Sequence, residues 1–128
     1  MRTPRRGQIF RLKSDAVGKP RPILVVSRTE LNNGSYLLGI AFYGEQLEKR
    51  AALPHCILFQ AGEFGLTKNC VAMASGITQF KLTELRLAEG PLGELSPEQM
   101  AVVDRALAFS LNLTLAENSR TKDVPSSD

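Results

Sequence analysis

Residues 22–43, PILVVSRTELNNGSYLLGIAFY, decide the fold. Two apolar runs in this stretch, residues 23–27 and 36–43, are rich in β-branched and aromatic residues, as strands are. Between them lies Asn32-Asn33-Gly34, and Asn and Gly tolerate the positive φ that tight turns require. The stretch therefore predicts a β-hairpin.

Further short strands are predicted at residues 8–12, 52–59, 70–74, 77–80 and 92–95. Only the far end of the chain has a helical pattern. Ser96 can cap a helix there, with Pro97 in the first turn and Gln99 at the spacing of a capping box. The apolar stripe expected to cover the sheet consists of Met100, Val103, Leu107 and Leu111.

Several short strands followed by one helix predict a mainly β domain with a C-terminal helix. Curling the sheet into a small barrel removes exposed strand edges. With 128 residues the chain is long enough for one domain, which we assign to residues 1–115. Residues 116–128 lose all apolar periodicity and are predicted to be a disordered tail.

The net charge of +3 is unevenly distributed. Residues 1–28 hold eight basic side chains and one acidic one, a net charge of +7, whereas the other 100 residues carry −4. A concentrated positive field suits a polyanion such as RNA, although a basic terminal arm can also serve solubility alone. Lys19 and Arg28 belong to this basic segment and are candidate RNA contacts.

Several kinds of site find no support in the sequence. Cys56 and Cys70 show no CxxC spacing, and His55 adjoins only the first of them, so no metal site is predicted. No nucleotide-binding glycine motif, signal peptide or membrane-spanning segment is present, so we expect a cytoplasmic protein without a cofactor. His55 is either a partly buried surface histidine or an acid/base group.

The most informative segment is GKPRPILVVS, residues 18–27, in which Arg21 stands between Pro20 and Pro22. The prolines restrict the backbone to extended conformations, so Arg21 should project stiffly from the start of a strand. Its planar guanidinium group is suited to bidentate contact with a phosphate. A charged residue that merely begins a strand is the alternative.

At this point the sequence resembles the MazF/PemK family of toxin endoribonucleases. The resemblance rests on short motifs in a shared order: RGQIF at residues 6–10, RPILVVS at 21–27, LPH at 53–55, GLTKNCV at 65–71 and the helix that begins near Ser96. It implies an SH3-like or CcdB-like barrel that dimerises and cuts single-stranded RNA without a metal ion. It also implies a cognate antitoxin that wraps the dimer and neutralises growth inhibition.

The resemblance also suggests roles for individual residues. Arg21 would supply the cation for charge that develops at phosphorus when a 2′-hydroxyl attacks it. Where the family has a catalytic Thr or Ser before Gly, this chain has Tyr43, which would bond a phosphate oxygen, move a proton or stack under a base. Ser75 and Thr78 would fix the scissile nucleotide, with His55 among the RNA-binding residues.

Two functions are therefore in competition: a toxin-type endoribonuclease, and a catalytically degenerate barrel that only binds RNA or a partner protein. We also expect a homodimer, because Phe109, Leu113 and Leu115 leave apolar surface near the end of the helix.

Overall fold

The computed structural model describes residues 3–13 and 21–114. Outside the described residues lie residues 14–20, which include Lys19, and the predicted tail at residues 116–128. The strands are β1 (Gln8–Arg11), β2 (Pro22–Val25), β3 (Tyr36–Tyr43), β4 (Cys56–Phe59), β5 (Cys70–Met73), β6 (Thr78–Lys81) and β7 (Gly93–Glu94). The helices are α1 (Leu47–Ala51) and α2 (Pro97–Leu111), accompanied by several single 3-10 turns.

The strands form one sheet in the order β4-β5-β3-β2-β1-β7, and all pairs are antiparallel. The long strand β3 pairs with β2 along one edge. On its other edge it pairs with β6 through its first half and with β5 through Phe42 and Tyr43. The mainly β class with a C-terminal helix, predicted from the sequence, is confirmed.

The two ends of the sheet approach each other through two glycines. A Cβ on Gly65, in the turn after β4, would lie 2.0 Å from the Leu92 carbonyl oxygen, and one on Gly93 would lie 1.9 Å from that of Phe64. Only glycine permits such close contact between two backbones. The segment that follows β4 thus packs directly on β7 and curls the sheet into a barrel-like form.

Both faces of the sheet are covered, which explains the continuous apolar run in β2. Leu24 faces the main core, to which α2 contributes Met100 and Val103, whereas Ile23 and Val25 face a second cluster. Because side chains alternate along a strand, a strand covered on both faces is apolar at successive positions.

The helix α2 begins as predicted, since the Gln99 backbone N–H donates to Ser96 Oγ at 3.1 Å. Its apolar stripe is shorter than predicted. Met100 and Val103 are buried and Leu107 is half-buried, but Leu111 is 53% exposed because the helix extends past the core it covers. No helix within residues 3–13 and 21–114 is both long and apolar enough to cross a bilayer.

The predicted hairpin of β2 and β3 is present, but our reason for its turn is wrong. Asn32, Asn33 and Gly34 all lack positive φ, and a 3-10 turn at Thr29–Leu31 lengthens the connection. Asn32 is instead fully buried: its amide donates to the Pro4 carbonyl at 3.0 Å, and its oxygen accepts from the Ser27 hydroxyl at 2.6 Å. The asparagine therefore stabilises the connection through hydrogen bonds and not through its backbone conformation.

Candidate functional site

Arg21 and Tyr43 face each other at one end of the sheet. Arg21 precedes β2, Tyr43 ends β3, and the pairing of Ile23 with Ala41 continues to place them side by side. The Arg21 carbonyl accepts a hydrogen bond from the Leu12 N–H at 2.9 Å, which holds its backbone in the ladder. The guanidinium carbon lies 5.2 Å from the centre of the Tyr43 ring, within range for a cation–π contact. The structure thus brings together two of the predicted site residues.

A second arginine, Arg50, contacts the same ring. Its guanidinium carbon lies 5.1 Å from the centre of the Tyr43 ring. It reaches this place from α1, which begins after Gln46, a residue with left-handed backbone conformation three positions beyond the end of β3. One terminal nitrogen of Arg50, Nη1, is buried and has no hydrogen-bond partner in the described part of the chain. Two cations therefore flank one phenol.

A cavity of about 210 Å³ opens beside Tyr43. Its walls come from the ends of β1, β2 and β3 and from the turn between β4 and β5. The lining residues are Arg11, Pro22, Phe42, Tyr43, Gly44, Gly65, Leu66, Thr67, Lys68, Asn69, Cys70 and Leu92. Two of them are cations and none is a carboxylate, so the cavity favours an anionic ligand.

The two thiols are protonated structural groups. Burial raises the pKa of Cys56, and the neighbouring Arg50 cation offsets only part of this rise. Burial also raises the pKa of Cys70, and the Glu63 carboxylate raises it further. Neither thiol is thus activated as a nucleophile. Within the described ranges no three His, Cys, Asp or Glu side chains form a cluster that could hold a metal ion.

Ser75 and His55 lie together at the opposite end of β5 from Tyr43. Ser75 is exposed in the turn Ala74–Gly76 after β5, and the His55 carbonyl accepts a hydrogen bond from the Ala74 N–H at 2.8 Å. Tyr43 pairs with Val71, and Ser75 follows four residues later, in the turn beyond the end of β5 at Met73. The structure does not bring these two residues to the Arg21–Tyr43 pair.

Thr78 and Arg28 also lie towards that opposite end. Thr78 begins β6 opposite Gly39, and its exposed hydroxyl donates to the Gly76 carbonyl at 3.0 Å. Arg28 follows β2 and is 75% exposed, with Glu30 at 3.8 Å from its guanidinium group. The predicted RNA contacts among the described residues are therefore distributed along the sheet.

Sequence reasoning missed Arg50, Arg11 and Lys68. We predicted residues 52–59 as one strand and no helix before it, whereas β4 starts only at Cys56 and α1 precedes it. A signal was present, because all five residues of α1, LEKRA, are strong helix formers. One turn and a half is nevertheless too short to show apolar periodicity.

Comparison with known proteins gives one family and one fold. A sequence model of the family described as PemK-like, MazF-like toxin of type II toxin-antitoxin system matches residues 5–111. No curated protein matches the chain significantly.

Solved structures share the fold. An endoribonuclease in complex with its cognate antitoxin, from a mycobacterial species, is 25% identical with a TM-score of 0.70, and the match covers 88% of this chain and 99% of that one. Toxin MazF-mt6 of Mycobacterium tuberculosis is 16% identical with a TM-score of 0.69, covering 84% and 99%. MazE-MazF of Deinococcus radiodurans is 18% identical with a TM-score of 0.69, covering 89% and 100%.

Proposed function

This chain belongs to the family of PemK-like, MazF-like toxins of type II toxin-antitoxin systems, and we propose that it is an endoribonuclease that cuts single-stranded RNA without a metal ion. The similar mycobacterial structure, which is described as an endoribonuclease with its cognate antitoxin, supports this assignment. Cleavage of messenger RNA would inhibit growth until an antitoxin neutralises the enzyme.

One observation of the site carries the proposal. The Arg21 guanidinium group lies against the Tyr43 phenol, at the edge of a cavity whose charged lining side chains are Arg11 and Lys68. Cations attract a phosphate, and a phenol beside them can stack under a base or bond a phosphate oxygen. This combination suits cleavage of a phosphodiester between unpaired nucleotides.

The reaction needs only a 2′-hydroxyl and groups that handle charge and protons. The 2′-oxygen forms a bond to phosphorus as its proton leaves, and the bond from phosphorus to the 5′-oxygen breaks as that oxygen gains a proton. Arg21 stabilises the negative charge that builds on the phosphoryl oxygens. The Tyr43 hydroxyl bonds one of these oxygens or passes a proton. The products are a 2′,3′-cyclic phosphate and a 5′-hydroxyl.

The other predicted site residues lie away from the scissile phosphate. Ser75 as a catalytic group, and Thr78, His55 and Arg28 as RNA contacts, stay predictions. An RNA strand that lies along the sheet from Tyr43 would meet them at neighbouring nucleotides, since Ser75 lies in the turn at the far end of β5 from Val71, the partner of Tyr43. Lys19, also predicted to bind RNA, lies outside the described residues.

RNA cleavage in the presence of EDTA tests the function. We expect the full chain to cut a labelled single-stranded RNA with excess EDTA and to leave cyclic phosphate ends. The matched control substrate has the same sequence with 2′-O-methyl groups and should stay intact, because it lacks the attacking hydroxyl. A gel shift with uncut RNA would instead favour a barrel that binds RNA without cleaving it. Dependence on a divalent cation would contradict the mechanism.

The same proposal includes two protein partners. Phe109, Leu111 and Leu113 expose 59%, 53% and 58% of their surface at the end of α2, and such apolar area suits a second copy or an antitoxin. Leu115, predicted to extend this surface, lies outside the described residues. Light scattering should show a homodimer, and a cognate antitoxin should suppress cleavage. We place the protein in the cytoplasm, where its messenger RNA substrate is found.

A further inference from the structure

Arg50 has a buried donor that the protein leaves unused. Its Nη1 atom is inaccessible to solvent and has no hydrogen-bond partner among residues 3–13 and 21–114. A buried donor on a charged group that lacks a partner destabilises the folded state. In the described part of the chain no carboxylate forms an ion pair with Arg50. The fold thus holds this cation in place without a local anion.

The position of Arg50 brings a second cation to the ring that Arg21 contacts. Its guanidinium carbon is 5.1 Å from the centre of the Tyr43 ring, and that of Arg21 is 5.2 Å from the same centre. Two like charges on one ring repel each other unless an anion lies near both. Arg50 as a whole is only partly buried, so an anionic ligand at Tyr43 would be attracted by both cations and would relieve the repulsion.

The chemistry of RNA cleavage supplies an anion that matches two cations. A phosphodiester carries one negative charge, and attack by the 2′-oxygen adds a second one at phosphorus. Groups that bind the doubly charged state more tightly than the singly charged one accelerate the reaction. If Arg21 binds the charge that the phosphodiester already carries, a second cation can stabilise the charge that the attack adds.

We propose that Arg50 is a second phosphate-binding residue of the site, and that it holds a non-bridging oxygen of the scissile phosphate together with Arg21. This inference rests on the proposed endoribonuclease function. Arg50 reaches the site from α1, not from the strand ends that carry Arg21 and Tyr43.

Removal of the Arg50 side chain tests this role against a control from the same helix. Lys49→Ala removes the same charge from the adjacent residue, which is exposed. In single-turnover cleavage we expect Arg50→Ala to be about 10- to 100-fold slower than wild type. Arg50→Lys should recover little of the rate, because an ammonium group cannot make the bidentate contact. Lys49→Ala should stay within about twofold of wild type.

Rescue distinguishes a role at phosphate from support of the fold. Millimolar guanidinium chloride should restore part of the cleavage rate of Arg50→Ala, because the free ion can occupy the vacated place, and should leave Lys49→Ala unchanged. A loss of rate that follows a lower thermal midpoint and is not rescued would overturn the proposal. So would equal rates for Arg50→Ala and Lys49→Ala.

Binding separates this inference from the proposed function. With 2′-O-methyl RNA, which cannot be cut, loss of one phosphate contact lowers the slope of log K against log salt by about 0.7. We expect this change for Arg50→Ala and not for Lys49→Ala. If wild type fails to cleave RNA but Arg50→Ala still lowers the salt slope of binding, the endoribonuclease function is wrong and the phosphate contact stands. An unchanged slope would contradict the contact in either case.

Discussion

Two arginines belong to similar short motifs but have different surroundings: Arg21 precedes β2, whereas Arg6 precedes β1 and lies beside the far end of β2. Arg6, before Gly7, donates to the Val26 carbonyl at 2.8 Å and to the Asp104 carboxylate at 2.5 Å. Arg21, before Pro22, instead contacts the ring of Tyr43, and no described carboxylate forms an ion pair with it.

The difference separates structural from functional charge. At the Arg6 end the donors have partners within the protein, and the buried Asn32 completes a network that joins Pro4 to Ser27. At the Arg21 end two cations share one phenol, and a nitrogen of Arg50 has no partner. Charge that the fold satisfies holds the fold together, whereas charge left unsatisfied is available to a ligand.

The largest expected effect is that of Arg21→Ala on catalysis. Loss of a group that stabilises developing charge should slow RNA cleavage by about 10²- to 10³-fold. The thermal midpoint should change little, because the side chain contributes little to the core. Arg21→Lys should be nearly as slow, since an ammonium group cannot replace the planar guanidinium group. Cleavage by Arg21→Ala at the wild-type rate would remove Arg21 from the site.

The next largest effect is that of Asn32→Ala on the free energy of unfolding, at the end of β2 away from Arg21. Asn32→Ala removes the partner of the Ser27 hydroxyl and of the Pro4 carbonyl in a fully buried place, and we expect a loss of about 2 kcal/mol. Denaturant unfolding measures this change. The control is Asn33→Ala, an exposed neighbour that should change stability by less than about 0.5 kcal/mol. Equal stability for the two variants would contradict the structural role of the Asn32 network.

A smaller loss of stability is expected for Arg6→Ala. Its ion pair with Asp104 is partly exposed, so solvent screens the charge, and its bond to the Val26 carbonyl makes up much of the effect. We predict a loss of about 1 kcal/mol. Arg5→Ala removes the neighbouring ion pair with Glu94, which is more exposed, and should have less effect. A larger loss of stability for Arg5→Ala than for Arg6→Ala would show that Arg6 does not connect β2 to α2.

Much of the fold could be predicted from local sequence patterns. Residues 36–43 were predicted as a strand with the bounds that β3 has, and Ser96 marks the start of α2 as a cap should. The error at Asn32 has a physical cause, because an asparagine whose side chain hydrogen-bonds inside the protein has the same sequence signature as one with positive φ. Burial of a polar side chain depends on contacts from distant residues.

The candidate site was harder to predict than the fold, because it depends on contacts between residues that are distant in the sequence. Arg21 could be singled out because its two neighbouring prolines are a local signal. The partnership of Tyr43 with Arg50 depends on a left-handed turn at Gln46 and a helix of five residues. The separation of Ser75 and Thr78 from Tyr43 follows from strand register, which no single segment determines.

The smallest expected effect concerns Arg28, which lies beyond the end of β2 opposite to Arg21. Arg28 and Arg21 are seven residues apart, about 23 Å in extended chain, so a short RNA that covers only the cut site cannot reach both. Arg28→Ala should therefore leave cleavage of a short RNA unchanged. It should weaken binding of an RNA several times longer by a few-fold, because Glu30 already screens this exposed cation.

Salt titration with short and long RNA checks this expectation. If Arg28 binds one phosphate, Arg28→Ala should lower the salt slope by about 0.7 for the long RNA and not at all for the short one. An equal loss with both would place Arg28 at the cut site and contradict the division between the two ends of β2. No change with either would mean that Arg28 does not bind RNA and that RNA contact is confined to the end with Arg21, Tyr43 and Arg50.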